Sequence, residues 1–331
     1  MSTNEVATTA QARASERVEH THIGGQAVIE GVMMRGKKNW AVACRLPDGS
    51  IYVEEHELPE VPEGSVWTKP LLRGMHGLWV TLKLAMKAFT ISASLAGETE
   101  EEQLTKGEVA LTVVLGVGLA VGLFIVLPAV ITNLLGEAMR ESTFWWNMVD
   151  GLLRLAVFFL YIVLVSRIKD VARVFAYHGA EHKTIHAYEH GLPLRPDIIQ
   201  RYETLHVRCG TSFLLMVMVI AILVFSLVPA DTLVTRIAVR VLLLPLIAGL
   251  AYEVIRWAGR NPGSRFVRVL LWPGLQLQRM TTAEPEDDMV EVAVAAMARV
   301  VRAETGEWPE GYEDRTESAV TPPDEAPAPG V

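Results

Sequence analysis

The sequence predicts a mainly α-helical, polytopic membrane protein: about four transmembrane helices, one or two interfacial helices and a small N-terminal β-containing cap. Three observations predict it. Half of the 331 residues are hydrophobic although 21% are charged, and the mean hydropathy is +0.28. The apolar excess is gathered into runs long enough for a bilayer core of about 30 Å. Lys and Arg are distributed unequally between the loops that join those runs.

Taken in order, residues 1–21 are polar and lack an apolar core, so insertion is expected to rely on internal segments. Residues 22–64 form the cap. Trp40–Leu46 and Ile51–His56 are strand-like runs joined by the turn signal Pro47-Asp48-Gly49. Residues 65–303 form the membrane domain. Its first segment, 70–96, is apolar but carries Arg73, His76, Lys83 and Lys87. It is read as an amphipathic helix lying on a membrane or packed against the rest of the protein. Four spans follow, at 109–135, 149–166, 211–229 and 237–255. The fourth is shortened by Arg240 and Glu253, and snorkelling would accommodate Arg240. Residues 266–280 read as a second interfacial segment broken by Pro273 and Gly274, and 286–303 as a short soluble helix. Residues 304–331 are an acidic, Pro-rich tail expected to be disordered.

Loop charge sets the expected orientation. The loop 136–148 carries Arg140 alone and the turn 230–236 carries Arg236 alone, whereas 167–210 carries seven basic residues. Arg256, Arg260, Arg265 and Arg268 follow the fourth span. The positive-inside rule then places both termini and 167–210 in the cytoplasm of an inner (plasma) membrane protein. The net charge of −8, without a basic block, gives no reason to expect nucleic acid. Two cysteines, Cys44 and Cys209, do not make a disulfide scaffold.

The chemistry concentrates in 178–190. His178, His182, His186 and His190 recur every four residues, and the order His-x-x-Glu-His occurs twice, with Glu181 and Glu189. Residues four apart share one helical face, so each pair can converge on one metal ion. Glu181 would stand beside the first pair as a general base. This is the order of the inverted zinc-peptidase motif. The alternative is a solvated, pH-sensitive helix face. Gly191 and Pro193 would end the helix, so His190 falls in its last turn, where a histidinium favours the dipole. Glu189 is a ligand, an acceptor orienting an imidazole, or a surface charge. His206 and Cys209 return to the same membrane face just before the third span. Cys209 is a ligand, a thiolate beside Arg208, or a buried free thiol. Glu253 would complete a ligand set or pair with Arg256 or Arg240.

The stretches GGQAVIEGVMMRG at 24–36, YHGAEHKTIHAYEHG at 177–191, HVRCGTSF at 206–213, YEVIRWAGR at 252–260 and PGLQLQRMTTAEPEDDMVEVAVAAM at 273–297 resemble the YqhQ-like family of bacterial membrane proteins, domain of unknown function 1385. The resemblance covers about 22–303. It implies a metal-dependent enzyme, with Glu30, Arg35, His178, Glu181, His182, His186, Glu189, His190, His206, Cys209 and Glu253 inside the shared blocks.

The expected function is a zinc-dependent hydrolase. His178 and His182 would bind the metal, Glu181 would activate water, and Glu253, His206 or Glu189 would be a further ligand; without Glu253, Cys209, His206 or a neighbour completes the site. The lipid boundary suggests a lipid-linked or membrane-peptide substrate. One alternative is a di-iron oxidoreductase whose second metal uses His186, His190 and His206. The other is a metal or proton sensor, or a transport-associated protein. If the second span ran straight on, His178 would lie ~18 Å beyond Ser166, so a break near Asp170 or Gly179 is expected before Glu253 could reach the site.

Overall fold

Residues 24–57 alternate between two apolar faces with period two, and a sheet is the structure that buries both. In the computed structural model, which describes residues 21–59, 62, 64–96, 106–134, 143–228, 233–261 and 264–313, they form an antiparallel meander. Its strands are β1 (Gly24–Val28), β2 (Gly31–Arg35), β3 (Asn39–Arg45) and β4 (Ile51–Glu57). Val32, Met34, Ala41 and Ala43 face one way. Val28, Met33, Trp40, Val42 and Cys44 face the other. Strands β3 and β4 lie where the alternation places them. The β1–β2 hairpin was not expected, because its two-residue loop Ile29-Glu30 carries no turn signal. Glu30 takes the left-handed conformation (φ 49°). Its carboxylate accepts from Arg173 Nε at 2.6 Å, which ties the loop to the histidine-bearing helix.

Ten helices are described: α1 (Leu72–Leu95), α2 (Lys106–Val121), α3 (Leu127–Leu134), α4 (Thr143–Val165), α5 (Lys169–Glu189), α6 (Pro196–Ile199), α7 (Gly210–Leu227), α8 (Leu233–Arg260), α9 (Arg265–Thr281) and α10 (Asp287–Thr305). A π-helical turn, Gly122–Val126, joins α2 to α3. Among the described residues five stretches are long and apolar enough to cross a membrane: Leu72–Leu95, Ala110–Thr132, Phe144–Val165, Gly210–Leu227 and Ala238–Ala258. The first adds one to the four expected. It differs from the others in its packing: Ala88, with Leu84, Ile91 and Leu95, lies under the second face of the sheet. A four-stranded sheet therefore covers one side of α1. Its opposite side exposes Trp79 and Leu82.

The first face of the sheet packs on α5 and α10, and α10 is apolar nearly all round because the sheet, α5 and α6 surround it. Residues 306–313, expected in the tail, return along α6: Leu194 N–H donates to Glu310 O (2.7 Å) and Tyr312 joins the core. Residues 1–20 of the expected tail 1–21, residues 314–331 of the expected tail 304–331, and Arg140 lie outside the described residues.

One expected break is present and one is absent. The chain turns between α4 and α5 at 166–168, where Ile168 is extended, close to Asp170 and well before Gly179. α9 runs unbroken through Pro273, whose residue is exposed. Gly274 serves a close helix crossing: a Cβ there would lie 2.7 Å from Ser212 Oγ of α7.

Candidate metal centre

The four-residue spacing is realised within α5, which Gly191 ends with φ 65° as Leu192 N–H donates to Ala187 O (3.0 Å). His178 and His182 lie along one side and meet edge to face, with ring centroids 4.4 Å apart. Each ring is fixed by a main-chain carbonyl. His178 Nδ1 lies 2.8 Å from Thr281 O at the end of α9. His182 Nδ1 bonds Thr204 O in the loop after α6. A carbonyl can only accept, so both Nδ1 atoms carry the proton and both Nε2 atoms present lone pairs. Carbonyl partners of this kind are what hold metal-ligating imidazoles in orientation.

Both lone pairs face Cys209. His178 Nε2 is 3.2 Å from its Sγ. His182 Nε2 is buried without a hydrogen bond of good geometry. His178, His182 and Cys209 each offer a ligand atom within 4.8 Å of the other two, the one such group among the described residues. Cys209 is the N-cap of α7, where Thr211 N–H and Oγ1 approach Sγ at 3.4 and 3.2 Å. Burial raises the thiol pKa, but the adjacent His182 imidazole and the bonds from Thr211 lower it more, and the net shift is downward. Burial holds His182 below the ordinary imidazole range.

Glu181 sits beside this trio, 4% exposed. Its Oε2 has no hydrogen-bond partner, while Gly25 N–H of β1 donates to the carboxylate. Burial pushes its pKa up to about 8, opposed by His178 and assisted by Cys209. A buried carboxylate of this kind costs free energy unless a cation or proton accompanies it. Two glycines make the arrangement possible. A Cβ at Gly25 would lie 3.0 Å from Glu181 Cδ, and a Cβ at Gly179 would lie 2.1 Å from Ala283 O.

Of the remaining expected residues only His206 adjoins the trio, its ring centroid 5.6 Å from that of His182. His186 Nε2 donates to Leu205 O at 2.8 Å, and His190 Nδ1 to His186 O at 2.7 Å. His206 packs on His186 with ring centroids 4.8 Å apart. Burial lowers the pKa of His186 and of His206 to about 4. Glu189 is buried, pairs with Arg208, accepts from Thr21 N–H at 3.0 Å and lies 3.7 Å from His206 Nε2. Glu253 pairs with Arg73 of α1 and accepts from Leu71 N–H at 3.2 Å, so its partner is neither Arg256 nor Arg240.

Sequence reading did not single out Gln278. It is fully buried on α9, accepts from His206 N–H, and donates to His206 O and Ser212 Oγ, each at 2.8 Å. The signal was available as a glutamine among the apolar positions of an amphipathic helix.

These features define a helical protein with apolar, membrane-type helices and a His, His, Cys group whose cysteine caps the start of one of them. Residues 69–303 match the family described as protein of unknown function (DUF1385), and the chain belongs to that family. It is 33% identical over 295 residues to the uncharacterized protein YqhQ of Bacillus subtilis (strain 168), covering 85% of this chain and 92% of that one. No solved structure matches.

Proposed function

We propose that the chain is a zinc-dependent hydrolase working at the cytoplasmic surface of the inner (plasma) membrane. The carrying observation is the pair of Nδ1–carbonyl bonds, which leaves two imidazole lone pairs facing one low-pKa thiol beside a buried carboxylate. The donor set fits the group: two imidazoles and a thiolate are borderline-soft zinc ligands, and three protein ligands leave a position open, as catalytic zinc sites require. The unpartnered Glu181 Oε2 and His182 Nε2 fit it as well. His178, His182 and Cys209 would hold the ion. Zinc bound there would supply Lewis acidity and lower the pKa of water at the site.

The chain's own residues supply the rest. Thr281 and Thr204 hold the two imidazoles in one tautomer. Glu181 would accept a proton from water and return it to a leaving group once a cation beside it favours its ionised form. Gly25 N–H orients that carboxylate.

Cys209 directly precedes α7, an 18-residue apolar helix, so the centre lies at the lipid boundary. That position supports a lipid-linked or membrane-peptide substrate. Orientation rests on loop charge, which places 167–210 and both termini in the cytoplasm. The sheet on α1 supports it, because α1 then need not cross and four spans remain.

The test is elemental mass spectrometry of detergent-purified protein, prepared without chelators, beside His182→Ala. About one zinc per chain, lost in the variant, is expected. Two irons per chain would favour the oxidoreductase, and no stoichiometric metal would end the enzyme reading.

A further inference from the structure

A second polar cluster lies toward the other end of α7, between α4 and α8. Asp150 of α4 is buried, its side chain 2% exposed. Two arginines converge on its Oδ2: Arg240 Nη2 of α8 at 2.8 Å and Arg154 Nη2 at 2.9 Å. The Arg154 contact is an ion pair without hydrogen-bond geometry, and Arg154 Nε, Arg154 Nη2 and Asp150 Oδ1 are all buried with no hydrogen-bond partner. The Arg240 guanidinium lies 5.6 Å from the centre of the Phe225 ring of α7, and Asn147 donates to Phe225 O at 2.8 Å. Cys209 is 16 residues from Phe225, so the cluster stands ~24 Å along α7 from the candidate metal centre.

Among the described residues charge does not balance here: one carboxylate faces two guanidiniums between otherwise apolar helices. Charged groups at such depth are costly and are kept where they serve a ligand or pathway. Snorkelling was expected to relieve Arg240, yet it turns inward to Asp150. Five N–H donors per guanidinium, arranged as a planar fork, match phosphate oxygens better than any single carboxylate oxygen can. The depth also suits a headgroup. Asp150 lies seven residues into α4 and Arg240 seven into α8, each ~10 Å from the helix start. Exposed Phe144 and Trp145 open α4, the residue types that mark a membrane–water interface. Both arginine side chains remain partly accessible, at 18% and 17%.

We infer that Arg154 and Arg240 form a binding site for a phosphate group, that of an anionic phospholipid or of free phosphate, on the membrane face opposite the histidines. Asp150 holds the two guanidiniums together and yields part of their hydrogen-bonding capacity when the phosphate arrives. This site is independent of the hydrolase reading.

The experiment is native mass spectrometry of the full chain in mild detergent, with phosphatidylglycerol or phosphatidylcholine added, alongside thermal-shift titration with inorganic phosphate. The expected result is a phosphatidylglycerol adduct weakened by about tenfold or more in Arg154→Gln/Arg240→Gln. Asp150→Asn, which removes the competing carboxylate, should retain or strengthen it. A phosphate-dependent thermal shift without a lipid adduct would support the site with free phosphate as its source. An adduct undiminished in the double variant would overturn it. So would the absence of both signals in folded wild type and Asp150→Asn, which would leave the cluster as an internal staple.

Discussion

His178 Nε2 lies 3.2 Å from Cys209 Sγ across 31 residues of chain. The contact joins the histidine helix to the N-cap of an apolar helix, while Gly179 lets the 281–283 segment approach α5 and Thr281 O reach the other nitrogen of His178. It also identifies the third member of the candidate ligand set. Cys209→Ala is therefore expected to lose stoichiometric zinc as completely as His182→Ala, while His190→Ala and Glu253→Gln retain it. Elemental analysis of the four variants decides; retention in Cys209→Ala would remove the thiol from the set.

Gly179→Ala should disturb the centre from outside it. A Cβ 2.1 Å from Ala283 O must displace the segment whose Thr281 O fixes His178. Overpacking costs of this kind run to about 1–3 kcal/mol. The variant should also bind zinc about 10–100-fold more weakly, as changes to groups that orient ligands do. Competition with a calibrated chelator measures it.

Much of this architecture was legible. The helical period of 178–190, the apolar runs and the β3–β4 turn all follow from local spacing. The β1–β2 hairpin was not, because Ile29-Glu30 is no ordinary turn pair and Glu30 adopts φ 49° under tertiary ties to Arg173. Nor was the choice among His206, Cys209, Glu189 and Glu253, since each lies in a plausible place along the chain. Long-range contacts settle their positions: Arg73 holds Glu253, Arg208 holds Glu189, and Gln278 grips the main chain of His206. Helix periodicity carries no information about partners on other elements, whether 19 residues away as for Arg208 and Glu189 or 180 as for Arg73 and Glu253.

Gln278→Leu should be costly although it removes no charge. It strands His206 N–H, His206 O and Ser212 Oγ in a buried setting. Each unsatisfied buried group costs about 1–3 kcal/mol. A lowered thermal midpoint is expected, with Gln278→Glu intermediate because it keeps the acceptor. Equal midpoints for wild type and Gln278→Leu would contradict the geometry.

Acid should destabilise the fold through His186 and His206. The folded pKa values of His186 and His206, about 4, lie below the ordinary 6.5. The unfolded chain thus binds more protons in that window, and stability falls as pH drops from 6.5 through 4. His206→Gln should flatten part of that slope. Thermal midpoints taken between pH 4 and 7 test this, and identical slopes for the two proteins would count against a buried neutral His206.

Glu181 gives the opposite sign in the metal-free protein. Its folded pKa of about 8 stands above the ordinary 4.5, so the folded state holds a proton that the unfolded state releases. Stability is then greatest below pH 4.5, declines as pH rises, and has lost this contribution above 8. The span of the shift corresponds to at most about 5 kcal/mol. Glu181→Gln should remove the decline and make the metal-free protein more stable than wild type at pH 8. With zinc bound, the advantage should shrink, because a cation beside the carboxylate favours its ionised form. Thermal midpoints of wild type and Glu181→Gln, with and without one equivalent of zinc, read all four states. A pH slope unchanged by the substitution would mean that the buried carboxylate is not the group that titrates.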